Sequence, residues 1–231
     1  MTLRRRPLAV LFRMLVVAST LAAFRPAMLL AQTDGTCVPV AQRAGRALGC
    51  FIMARQELGR LNAKAPLYWH LDTYATRAAA ETARGPRSTV VESLGRIWLF
   101  TIGPAGWRPT SGKRIERVGP LPLVKADSIA AVYMEGVFEP GMHTMVHRHP
   151  GTEAWVTLEG AMCLETPKGK LEQRAGDRGV LVGPNIPMML TGTGKGVRKS
   201  VVLILQDATK PRSTPASDWT PRHVCTASTG D

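Results

Sequence analysis

Apolar residues between Val38 and Leu61 fall at Val40, Ala44, Ala47 and Leu48, then at Phe51, Ile52 and Leu58, which predicts a helix running into an extended segment. Gly45 and Gly49 weaken the helical part, and Pro66 ends the run. Tyr68 to Tyr74 is rich in aromatic and β-forming residues and predicts a strand. The alanine-rich stretch Thr76 to Ala83 predicts a short helix stopped by Gly85-Pro86, and Ser88 to Glu92 and Arg96 to Ile102 predict two more strands. This β-α-β-β order is an α+β unit, followed by a loop or linker from Gly103 to Gly112.

Beyond the linker the pattern changes to short β-type runs: Leu121 to Lys125, Ser128 to Phe138, His143 to His149, Glu153 to Leu158, Ala161 to Glu165, Lys170 to Arg174, Gly179 to Val182, Met188 to Thr191 and Val197 to Gln206. Turn residues separate them, among them Pro140-Gly141, Pro150-Gly151 and Gly176-Asp177. Regular short strands of this kind favour a closed or sandwiched all-β domain. In the run from Glu153, Ala154, Val156 and Leu158 alternate with Glu153, Trp155 and Thr157, so both faces are substantially apolar. The outer face must therefore be covered by the N-terminal unit or by a second subunit, and a homodimer is one expectation. The tail from Lys210, with Pro211, Pro215 and Pro221, is expected along the surface.

Charge changes the picture mainly at the N-terminus. The 231 residues hold 30 Lys plus Arg against 17 Asp plus Glu, a formal charge of +13. Arg4, Arg5, Arg6, Arg13 and Arg25 lie in the first 31 residues, which carry no acid. A basic start, a short apolar run from Leu8 to Ala23 and small residues before a polar break have the pattern of a secretory signal, expected to be cut after Ala31. The run is too short and too charged for a stable membrane span. Its removal leaves 200 residues at +8, with basic and acidic residues interleaved. That dispersal predicts a solvated basic surface rather than a nucleic-acid site. Domain limits follow: 1–31 signal peptide, 32–112 N-terminal α+β unit, 113–209 β-barrel and 210–231 C-terminal tail. Cys37, Cys50, Cys163 and Cys225 show no CxxC spacing, so disulfides in an extracytoplasmic, periplasmic or secreted protein are favoured over structural zinc. Three pairings of the four cysteines stay open, with Cys37 to Cys50 or Cys225 as candidates.

The densest chemistry lies between Gly141 and Gly160. Residues two apart share a strand face, so His143, Met145, His147 and His149 point one way in a regular strand. A reversal at Pro150-Gly151 then brings Glu153 back almost opposite His149, with cross-strand Cβ atoms ~5 Å apart. Two imidazoles and a carboxylate suit a divalent transition metal, Mn, Fe, Cu, Zn or Ni, with coordination positions left open. No nucleophile-base triad or phosphate-binding glycine loop accompanies them.

This stretch resembles the first motif of the cupin superfamily in full: Gly141, five residues, His147-x-His149, three residues, Glu153, six residues, Gly160. The resemblance implies a mainly β fold, a cupin jelly-roll barrel over about Leu121 to Gln206, following the N-terminal α+β unit. It implies a metal pocket inside the barrel. The second motif of the family departs here. Gly176-Asp177 and Val180-Leu181-Val182 lead to Gly183-Pro184-Asn185-Ile186-Pro187-Met188, which places Met188 where the family has its last histidine ligand. The expected metal set is His147, His149, Glu153 and Met188. His143 is an alternative nitrogen donor, although four strand residues span ~13 Å to His147. Met188 sulfur would favour copper, and three protein ligands with water are the plainest alternative. Methionines 134, 142, 145, 162, 188 and 189 are expected mainly as core filler, Cys163 as a buried thiol or disulfide, and Trp155 and Thr157 as pocket lining or barrel packing. The expected function is that of an exported metal-dependent cupin enzyme on a small organic substrate, of oxygenase, isomerase or lyase type, with no catalytic residue assigned. A non-catalytic sensor or carrier is the alternative.

Overall fold

The computed structural model describes residues 37–61 and 64–226. In chain order the elements are β1 (Val38–Pro39), a 3-10 turn (Val40–Gln42), β2 (Gly49–Gly59), β3 (Leu67–Tyr74), α1 (Arg77–Thr82), β4 (Ser88–Ser93), β5 (Arg96–Pro104) and β6 (Lys113–Val118). There follow β7 (Ile129–Phe138), β8 (His147–Arg148), β9 (Thr152–Glu159), β10 (Ala161–Thr166), β11 (Gly169–Arg174), β12 (Val180–Val182), β13 (Met189–Thr193), β14 (Arg198–Asp207) and β15 (Thr214–Pro215). The export-signal reading concerns residues 1–31 and lies outside the described residues.

The strands form three layers of sheet. A six-stranded sheet, ordered β1-β2-β7-β14-β9-β12, has a four-stranded sheet, β4-β5-β3-β6, on one face and a three-stranded sheet, β11-β10-β13, on the other. The chain is thus mainly β, with jelly-roll-like facing sheets. Strands β7 and β14 lie in the middle layer, which is why Ile-Ala-Ala-Val-Tyr-Met and Val-Val-Leu-Ile-Leu are continuous apolar runs rather than alternating ones. Trp69, Trp98 and Phe100 of the four-stranded sheet pack against Tyr133, Val156 and Leu203 of the middle sheet. On the opposite face Met134, Trp155, Val202 and Ile204 meet Met162, Leu164 and Leu190.

The alternation in β9 is thereby accounted for on both sides. Ala154 and Val156 are covered by the four-stranded sheet, and Trp155 points into the other core. Of the two expected covers for the outer face, the chain itself supplies one, so that face gives no reason to invoke a second subunit.

Strand pairings cross residue 112 in both directions. β2, from the stretch assigned to the N-terminal unit, pairs antiparallel with β7, whereas β6, from the stretch assigned to the barrel, pairs with β3. Apolar periodicity is silent about β6 because its sequence, Lys-Arg-Ile-Glu-Arg-Val, is dominated by charge. The helix expected ahead of Phe51 reduces to one 3-10 turn, since Ala44 and Gly45 take left-handed backbone angles (φ 47° and 77°) that end any helix there. The strand expected at Leu121 to Lys125 is absent: Pro122 has no N–H to give to a ladder, and Leu121 N–H donates to Leu67 O at 2.8 Å. α1 matches its expected position, with the Thr76 hydroxyl accepting from Ala79 N–H at 3.2 Å.

The cysteines pair as Cys37–Cys50 and Cys163–Cys225. The first holds β1 beside the start of β2, and the second fastens the tail to β10. The tail also adds β15 alongside β8. No helix among the described residues is long and apolar enough to cross a membrane.

Candidate metal centre

His147 and His149 reach the site from the three-stranded side and Glu153 from the six-stranded side. Residues 141 to 147 run antiparallel to residues 188 to 192, through Gly141 N–H to Gly192 O, Thr144 N–H to Leu190 O and His147 N–H to Met188 O. These contacts recur every third residue, so the strict two-residue alternation of a regular strand is broken. Only His147–Arg148 is strand, and His143 makes an isolated bridge to Thr191. The expectation that His143, Met145, His147 and His149 share a face therefore does not hold. The Nδ1 of His143 lies 3.1 Å from the carbonyl oxygen of Thr144.

The Pro150-Gly151 turn does not form a hairpin either. It carries the chain across to the other sheet, where β9 pairs with β14 and β12 rather than with β8. A Cβ on Gly151 would stand 2.1 Å from Leu205 O and 2.5 Å from the Gln206 Cα, so only glycine lets the chain pass β14 this closely. Glu153 is thus delivered across a gap between sheets, not across a strand pair.

One ligand atom from each of His147, His149 and Glu153 lies within 4.8 Å of the others. The His149 Nε2 to Glu153 Oε2 distance is 3.6 Å, and the two imidazole centroids are 4.9 Å apart. His147 Nδ1–H donates to Met145 O at 2.8 Å, and His149 Nδ1–H donates to Arg212 O at 2.6 Å. A carbonyl can only accept, so both rings carry their proton on Nδ1 and present a bare Nε2 lone pair. Glu153 is 6% exposed, and its Oε2 has no hydrogen-bond partner among the described residues.

The electrostatics agree with this tautomer. Burial pushes the His149 imidazole down to about 4, helped slightly by the Arg212 charge. Burial also lowers His147, with the neighbouring His149 adding to the effect. The Glu153 carboxyl is raised by burial, against the pull of His147 and Arg198. Two neutral imidazoles and a buried carboxylate lacking a partner make a donor set that a divalent cation would satisfy.

Met188 and His147 exchange both backbone hydrogen bonds, at 2.8 and 3.1 Å, and are therefore directly opposite, with side chains on the same face. This is where the motif comparison put the missing histidine. Met188 is 1% exposed and packs in the apolar cluster shared with Trp155 and Met162. Trp155 and Thr157 do not line the cavity in front of the three ligand atoms: Trp155 is in that cluster, and Thr157 Oγ1 donates to Gln173 Oε1 at 2.6 Å. Cys163 is engaged in its disulfide.

The cavity has about 620 Å3 of empty space, counting its open mouth. Its apolar wall includes Met134, Phe138, Leu190 and Val202, and the Cys37–Cys50 disulfide borders it. Two arginines, Arg198 and Arg212, complete the lining, and sequence reasoning missed both. Arg198 left a signal. It shares the inward parity of Ser200, Val202 and Ile204, positions that face the core. Arg212 left none, because the tail that carries it has no periodicity.

No family model and no curated protein matches this chain. Solved structures do. A cupin-like protein from Thermotoga maritima matches over 37% of this chain and 64% of its own, at 18% identity and TM-score 0.34. A structure of the DMSP lyases RdDddP and RnDddQII matches over 37% of this chain and 44% of its own, at 17% identity and TM-score 0.33. A conserved double-stranded β-helix protein from Klebsiella pneumoniae matches over 48% of this chain and 84% of its own, at 18% identity and TM-score 0.33. The first two are spanned over less than two thirds of their length, and all three likenesses concern fold alone. The chain has a mainly β fold of jelly-roll-like facing sheets, and its Gly141 to Gly160 stretch resembles the first cupin motif.

Proposed function

We propose that this protein is an exported, metal-dependent cupin that acts on a small organic molecule, with His147, His149 and Glu153 holding one divalent transition metal. The observation that carries this reading is the pair of bare Nε2 atoms beside a buried Glu153 oxygen that has no hydrogen-bond partner among the described residues. An ion bound there supplies Lewis acidity toward a carbonyl or hydroxyl, or redox chemistry, at its open positions. The chain does the rest. Met145 O and Arg212 O orient the imidazoles, the apolar wall excludes water, and the mouth admits a small ligand. The N-terminal sequence pattern and the two disulfides support an extracytoplasmic setting.

Three protein ligands with water are proposed, Met188 serving as packing beside His147. Protein purified without added metal, then supplied with Mn, Fe, Cu, Zn or Ni and dialysed, is expected to hold about one ion per chain by elemental analysis. His147→Ala, His149→Ala and Glu153→Ala should each abolish this, and Met188→Leu should leave it intact. Wild-type protein that takes up no metal overturns the proposal, and loss with Met188→Leu would add the thioether to the ligand set.

One observation favours the non-catalytic alternative. Apart from the three proposed ligands, the described cavity lining holds no carboxylate or imidazole to serve as a general base. Mass spectrometry of small molecules recovered from the loaded protein discriminates the two: an unaltered, retained ligand supports a carrier, and converted product supports an enzyme.

A further inference from the structure

Arg198 is 2% exposed, lines the same cavity as the three proposed ligands, and sits at the start of β14 opposite Phe138 of β7. Its Nε and Nη2 have no hydrogen-bond partner among the described residues. These two nitrogens form one edge of the guanidinium, where two N–H bonds run parallel at the spacing of a carboxylate's oxygens. No carboxylate of the described residues is in ion-pair contact with it. Glu153 is near enough to be felt electrostatically but makes no ion pair with it, and the proposed ion would engage that carboxylate.

The fork is also held in place. Its Cζ lies 5.5 Å from the centroid of the Phe138 ring. Nη1 packs over Gly136, where a Cβ would lie 3.5 Å from it, an ordinary contact, and 3.1 Å from Ser200 Oγ. Burial lowers the arginine to about 10, which leaves it charged at neutral pH. A buried cation with a bare bidentate edge is unfavourable unless an anion meets it. The walls between Arg198 and the ligand atoms are apolar, through Met134, Leu190 and Val202.

We propose that Arg198 anchors the carboxylate of a small organic acid whose apolar chain lies along Met134, Leu190 and Val202 and whose other end faces His147, His149 and Glu153. The substrate class of the site is thereby a monocarboxylate. This deepens the reading of the cavity as a ligand site, but it does not depend on the ion being bound.

Butyrate and its neutral analogue butyramide test the proposal, by NMR titration of the full chain with and without added metal. Butyrate is expected to bind at least about tenfold more tightly than butyramide, the effect of hydrogen bonds to a charged group. The preference should disappear in Arg198→Met and be reduced in Arg198→Lys, which keeps the charge but loses the two-bond edge. If Arg198→Met does not fold, the wild-type preference and its reduction in Arg198→Lys decide. No preference in wild type overturns the proposal, as does a preference that survives Arg198→Met or follows Arg212→Gln alone. A preference seen only with metal, and lost in His147→Ala, assigns the carboxylate to the ion and overturns the role of Arg198 while supporting the metal. An Arg198-dependent preference in protein that takes up no metal upholds Arg198 and overturns the metal reading.

Discussion

Two carbonyl oxygens, of Met145 and Arg212, set the chemistry of His147 and His149, because each accepts a hydrogen bond from Nδ1–H and leaves Nε2 as the bare nitrogen at the cavity. Low imidazole affinity for protons follows from burial, so His149 stays neutral until about pH 4. In the metal-free protein this has a measurable sign. Below about 6.5 an unfolded histidine takes up a proton that folded His149 refuses until about 4, so stability falls as pH falls through that window, by about 3 kcal/mol for one such residue. Urea midpoints in chelator across this range should show the decline, and His149→Asn should flatten it. Buried His70, also pushed down to about 4 by burial with the Arg114 charge adding to it, contributes in the same direction. Away from the site, Trp155 is fully buried between sheets, and Trp155→Ala should cost about 3–5 kcal/mol in urea unfolding through the cavity it leaves.

The tail does more than cover surface. β15 beside β8 and Arg212 O on His149 bring the tail to the site, and the Cys163–Cys225 bond fastens its far end to β10. Glu165, 2% exposed, accepts the backbone N–H groups of Arg222 and Val224 and secures the same segment. Replacing both Cys163 and Cys225 by Ser should lower unfolding free energy by about 4 kcal/mol, the closure entropy of a loop with separation 62. Affinity for the proposed metal, read by competition with a chelator, should fall by about 10- to 100-fold as the support of His149 loosens. The Cys37–Cys50 pair closes a shorter loop, with separation 13, and Cys37→Ser with Cys50→Ser should cost about 3 kcal/mol. Equal unfolding midpoints with and without these bridges would contradict both expectations.

The three-layer arrangement explains how a small cavity acquires rigid walls. The middle sheet is packed on one face by the Trp69, Trp98 and Phe100 cluster, while its other face, against the three-stranded sheet, carries Glu153, Val202 and Arg198 to the cavity. Positive charge on the exterior is partly matched in place, as in Arg77 with Glu92 and Lys199 with Glu159, while Arg198 is set apart inside. Because the four-stranded sheet shares its core with the middle sheet, it is expected to melt together with the site. Thermal unfolding followed by tryptophan fluorescence and by metal release should give one coincident transition; two separated ones would show an independent unit.

Although their convergence across two sheets was set by the tertiary structure, spacing within one stretch of chain was enough to nominate His147, His149 and Glu153 as a candidate metal-binding group. The same holds for the two-faced character of β9, for α1 and for most strand positions, which depend on alternation and on local breakers such as Gly85-Pro86. Alternation failed where bonding skipped a residue, between Gly141 and His147, and so gave His143 a face it does not share. It could not choose among disulfides, join β2 to β7 or β6 to β3, or bring Arg212 to His149 from 63 residues away. Those outcomes depend on which apolar faces bury one another across the whole chain. Burial energy is non-directional and is satisfied only when the three sheets close together.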